Sequence, residues 1–122
     1  MSFVELPIGR NAFSFGIIFI GRDNNSATTV FHEDGHSVHF SAIGHFSYFI
    51  NVFVPSVLGC HFGDDFYQKN YYSYPYEYIA DIFGRVDPSA RNYNESMISF
   101  GEVYYTYTYL FGKVSSLLLP WC

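Results

Sequence analysis

Apolar residues along this chain fall into short runs separated by turn chemistry, and each run suggests one element. Residues 13–20, FSFGIIFI, are β-branched and aromatic and are punctuated by glycine, which predicts a strand. GRDNNS at 21–26 is turn chemistry. Asn25, Ser26 or Thr28 can then cap a helix running from about Ala27 to about Phe40. Residues 41–58 are mostly apolar and predict a helix or helical hairpin, broken or reopened at Pro55. Residues 59–70, with Asp64, Asp65, Gln68 and Lys69, predict a polar loop. Pro75 suits the first turn of a helix that reaches about Phe83 and is ended by Gly84. VDPSARNYN, 86–94, predicts a second loop. Residues 95–111 predict a helix, while the Tyr/Thr alternation of VYYTYTY also fits a strand. No repeat or linker interrupts the pattern. The expectation is a single α+β, mainly helical domain over residues 1–122, with a minimal β-strand element beside a helix pair.

Composition narrows what such a domain can do. Hydrophobic residues are 49% of the chain and charged residues 14%, which offsets ordering entropy and argues against disorder. Twelve Tyr, fourteen Phe and one Trp make the chain 22% aromatic, suiting a compact core with an amphipathic rim, a peptide groove or a membrane-facing surface. The net charge is −5 with only six Lys and Arg, so no basic stripe exists to follow phosphates and nucleic acid is not expected as a partner. The run from Ala12 to Ile20 does not read as a signal peptide. Residues Ile43–Leu58 and Val103–Leu119 raise the question of a spanning helix. The first is interrupted by His45, Asn51 and Pro55, the second by threonines, Gly112 and Lys113. Membrane association stays open; the expectation is a cytoplasmic chain. Cys60 and Cys122 stand in no metal-ligand spacing, and read as a buried free thiol and an incidental terminal one.

The chemistry concentrates in T29-V-F-H-E-D-G-H36. Histidines at i and i+4 share a helix face, so His32 and His36 can reach one cation. Zinc takes imidazole nitrogen, and a catalytic site keeps an open position for water. Glu33 is placed to act as general base on that water. Gly35 inside a helix costs about 1 kcal/mol relative to Ala, which suggests close approach by a neighbouring element. Downstream, Glu77 and Asp81 share one face of the Pro75 helix among Tyr, Ile, Ala and Phe, so both carboxylates are expected to be buried and to need partners. A Zn²⁺ ligand role for Glu77, and acceptance from His32 or His36 by Asp81, would serve both. His39 can line the site but reads better as a polar position near a helix end. His45 and His61 read as non-ligands, and Asp64 and Asp65 as loop solvation. The tyrosines at 71, 72, 74, 76 and 78 read mainly as packing.

HExGH followed by an ExxAD helix resembles the gluzincin branch of the zincin metallopeptidases. It is also similar to small bacterial proteins with an apolar helical stretch and a Tyr/Pro lead-in between the two motifs. The resemblance covers residues 13–86 and departs from that pattern at Asp34 and in the long gap from His36 to Glu77. It implies His32, His36 and Glu77 as zinc ligands, Glu33 as base, Asp81 behind a ligand histidine, and a peptide or protein substrate. In zincins an edge strand above the active helix pairs with an extended substrate, a role the 13–20 strand would fit, as it would an ordinary core position. A non-catalytic zinc module and a membrane-associated interaction protein with a vestigial site are the alternatives.

Overall fold

The computed structural model describes the backbone of residues 3–6, 12–14 and 18–21, and residues 26–118 throughout. Ser26 starts the first helix: its hydroxyl accepts the Thr29 N–H at 3.3 Å, satisfying one orphan donor of the helix N-terminus. Helix α1 covers Ala27–Ile43. After Gly44, helical backbone continues through α2 (His45–Tyr48), a π-helical segment (Phe49–Phe53) and α3 (Val54–Phe62). Pro55 does not break this stretch. Proline lacks the N–H that would bond the Asn51 carbonyl four residues earlier, and the Tyr104 hydroxyl donates to that carbonyl instead. The wider π turn just before Pro55 is the local adjustment that keeps the helix continuous.

Most of the stretch expected to be a polar loop is also helical. Helix α3 continues to Phe62, and α4 covers Asp65–Lys69, capped by Asp64, whose carboxylate accepts the Tyr67 N–H at 2.9 Å. Cys60 is exposed, not buried; Cys122 lies outside the described residues. Helix α5 is Pro75–Gly84 and begins at the expected proline, but the left-handed residue that ends it is Arg85 (φ 59°) rather than Gly84. A short α6 (Glu95–Ile98) leads into α7 (Gly101–Leu118), so VYYTYTY is helical. Along it Thr108 turns inward, while Thr106 returns its hydroxyl to the Glu102 carbonyl at 3.0 Å.

The chain is mainly helical. Before α1, strands β1 (Phe3–Leu6), β2 (Ala12–Ser14) and β3 (Ile18–Gly21) pair in the order β1-β3-β2, with β3 parallel to β1 and antiparallel to β2. The single strand expected over 13–20 is therefore two, with 15–17 outside the described residues. Its second half is the central strand and not a free edge. No helix among the described residues is long and apolar enough to cross a membrane.

The most extensive packing is between α1 and α5. A Cβ on Gly35 would stand 1.7 Å from the Ala80 carbonyl oxygen, and one on Gly84 would stand 1.8 Å from that of Phe31. The two backbones therefore touch, and only glycine fits at either point. Helix α7 lies across α1, α2 and α5, over a core of Ile43, Tyr48 and Val52 ringed by Phe40, Phe53, Tyr76 and Tyr105.

His39 belongs to that contact. It is fully buried, not a polar position at a helix end, and its Nε2–H donates to Thr108 Oγ1 at 3.1 Å. The Thr108 hydroxyl hydrogen is already given to the Tyr105 carbonyl at 2.8 Å, so the imidazole must be the donor. Burial, reinforced by nearby His36, pushes the His39 pKa from 6.5 down to about 3.

Two outcomes follow. Gly35→Ala and Gly84→Ala should each destabilise the fold by about 3 kcal/mol, the upper end of overpacking costs, read from urea unfolding. His39 must stay neutral in the fold but protonates near pH 6.5 when unfolded. Its contribution is complete above pH 6.5 and is lost as pH falls toward about 3. Urea midpoints measured across that window should fall on acidification, and His39→Gln should flatten the slope.

Candidate metal centre

Helical geometry puts His32, Glu33 and His36 within slightly more than one turn of α1, facing the first two turns of α5. All three are no more than 5% exposed, and Glu77 is fully buried. Among the described residues, His32, His36 and Glu77 form one buried group whose ligand atoms lie within 4.8 Å of one another, and that group could hold a metal ion. The Nε2 atoms of His32 and His36 stand 2.9 and 3.1 Å from the same oxygen, Glu77 Oε1.

The hydrogen bonds around Asp81 decide which nitrogen of His32 carries its proton. Asp81 accepts from Arg91 Nε at 2.8 Å, from Arg91 Nη2 at 3.1 Å and from the Tyr93 hydroxyl at 2.8 Å. A carboxylate so surrounded is ionised and accepts only, so the 2.7 Å contact to His32 Nδ1 is an N–H donated by the ring. Burial would raise the Asp81 pKa, but the His32 and Arg91 bonds outweigh it and hold the group below its usual range. Neutral His32 then aims the lone pair of Nε2 at the carboxylate oxygen of Glu77. Two lone pairs at that separation hold together only around a proton or a cation.

With a proton there, burial works against the charged imidazole, yet the bonds to Asp81 and Glu77 prevail and lift the His32 pKa to about 10. Glu77 responds in the opposite sense. Its burial favours the neutral acid, but the His36 charge and the two histidine bonds hold it well below the carboxylate range. Ligand atoms of a tetrahedral zinc with bonds of about 2.0–2.1 Å stand about 3.3 Å apart. Two imidazole nitrogens and a carboxylate oxygen are donors of the type such an ion takes, and the 2.9 and 3.1 Å separations lie near that spacing, so the group could hold a metal ion. Ser56 of α3 donates to the other Glu77 oxygen at 2.6 Å and fixes the carboxylate plane.

Glu33 is set apart from this group. Its carboxyl is buried, its pKa is raised first by that burial and lowered in part by His36 and His32, and its Oε2 has no hydrogen-bond partner among the described residues. His36 Nδ1 also has none, so Asp81 orients His32 alone. His39 points away toward α7, and His45 and His61 are exposed.

The sequence gives no reason to single out Ser56, Arg91 or Tyr93, and Tyr72 reads there only as packing. Tyr72 packs edge-on against His32 at 5.2 Å between ring centroids and lies 3.5 Å beneath the Arg91 guanidinium. The only prior signal was a cation within a loop of a chain poor in cations. No family model, curated protein or solved structure matches this chain.

His36→Ala and Glu77→Ala should abolish metal uptake, while Asp81→Asn and Arg91→Ala should weaken it by about 10–100-fold, the usual effect of removing an outer-shell partner. Metal analysis together with chelator competition separates the two classes.

Proposed function

We propose that the chain is a zinc-dependent hydrolase of the gluzincin type, acting on peptide bonds, with His32, His36 and Glu77 holding the ion. The observation that carries the reading is Glu33: a buried acid one residue from His32, whose Oε2 has no hydrogen-bond partner among the described residues. A purely structural site has no use for such a group, whose burial unpaired is costly.

Zinc bound there would supply Lewis acidity and bring the pKa of a coordinated water to about 7. Glu33 would take a proton from the attacking water and return it to the leaving amine. Its upward pKa shift suits a group that must both take and give a proton near neutrality. Asp81, held by Arg91 and Tyr93, would keep His32 in the tautomer that presents Nε2. Ser56 would keep Glu77 from turning away.

A second reading, a non-catalytic metal module, draws on the burial of every ligand. The decisive comparison uses zinc-loaded chain and Glu33→Gln on a quenched fluorescent peptide library, with metal content measured on both. The proposal expects equal zinc and a loss of cleavage by about 10²–10⁴-fold in the variant. Full zinc with no cleavage by the parent chain would favour the second reading, and equal cleavage by both would remove Glu33 as the base.

A further inference from the structure

Helix α7 has two opposite faces of different character. Gly101, Thr108 and half-buried Gly112 face the body of the protein, with Gly112 against the Ile43 backbone. On the other side, Phe100, Val103, Tyr107, Leu110, Val114 and Leu117 form a stripe whose members are 50–82% exposed. Val103, Tyr107, Leu110 and Val114 of the stripe line a groove of about 740 Å³, in which Glu102 is the only charged lining residue among the described residues.

We infer that this stripe is the interface of a two-fold symmetric dimer, in which α7 packs antiparallel against α7 of a second copy. The first reason is area. At roughly 150–200 Å² for each fully exposed side chain, six residues half to four-fifths exposed leave on the order of 600 Å² of apolar surface. Patches of that size on a monomer are usually functional. Two copies face to face would bury about 1,200 Å², where stable specific interfaces begin.

The second reason is self-complementarity, which a two-fold interface requires. The spacing of the stripe is 3-4-3-4-3, the same in both directions. Antiparallel pairing sets Phe100 against Leu117, Val103 against Val114 and Tyr107 against Leu110, with each pair repeated by symmetry. Both the 3-4 periodicity and the apolar identity of every partner are those of a helix–helix seam. The third reason is charge. Glu102 and Lys113 are the two charged residues of α7. In this register they approach across the seam with an axial offset of two residues, about 3 Å, giving opposite charges at each end. A parallel pairing would align each with its own copy.

The full chain should therefore sediment with twice the chain mass at about 100 µM. Leu110→Glu should raise the dissociation constant by at least about 30-fold, leaving helicity and metal content unchanged because the residue is exposed. In a Cys60→Ser, Cys122→Ser background, Val103→Cys with Val114→Cys should cross-link copies on oxidation, while Val103→Cys alone should not. A wild-type monomer at that concentration overturns the inference, as does a dimer indifferent to Leu110→Glu. Equal cross-linking by Val103→Cys alone overturns the antiparallel register. A monomer that pellets with phosphatidylcholine vesicles assigns the stripe to lipid instead.

Discussion

Contact between the backbones of α1 and α5 is the constraint on which the rest depends. Any side chain at Gly35 or Gly84 would occupy the space of a carbonyl oxygen on the facing helix. With both positions bare, the helices approach until the imidazoles of His32 and His36 meet the carboxylate of Glu77. A separation greater by the width of one methyl group would leave a buried acid and two buried bases out of reach of each other. Each would then bear its desolvation cost uncompensated.

The charges brought together are arranged as a chain. Arg91 and Tyr93 hold Asp81, Asp81 holds His32, and His32 meets Glu77, which Ser56 holds from the other side. Every link except that between His32 and Glu77 pairs a donor with an ionised acceptor, the stronger kind of hydrogen bond in a low dielectric. The outward end of the chain is covered by the Tyr72 ring, stacked under Arg91 and edge-on to His32. Glu33 stays outside this chain of hydrogen bonds, with its Oε2 unpartnered among the described residues.

A second polar network ties α7 to the α2–α3 stretch and is separate from the first. Ser47 donates to the Thr108 carbonyl, Asn51 to Ser47, and the Tyr107 and Tyr104 hydroxyls to Asn51. It supplies the bond that Pro55 removes, so the helix need not end there. His39 completes the seal from α1. Tyr107 belongs to both faces: its hydroxyl is turned to Asn51 within this network while its ring, half exposed, joins the outward stripe.

How much was legible in the sequence follows from the range of each interaction. Residue types and their spacing determined the elements governed by local rules: Ser26 as a cap, Pro75 as a helix start, and His32 with His36 and Glu77 with Asp81 one turn apart on their helices. Those placements need only 3.6-residue periodicity and the chemistry of helix ends. Gly35 even announced that something would approach closely. The tertiary structure alone decided which groups answer the buried charges. Arg91 and Ser56 come from segments whose local patterns, a loop and an apolar run, gave no reason to bring them to the centre. It also made residues 59–70 mostly helical, turned VYYTYTY into helix, and carried the chain past Pro55 by a π turn. In the last two cases a distant partner, Thr108 against His39 or the Tyr104 hydroxyl, satisfies a group whose local sequence permitted more than one conformation, whereas over 59–70 the cap of α4 is local, from Asp64 to the Tyr67 N–H. Local rules specify what a segment can form, and long-range satisfaction of buried polar groups selects among those forms.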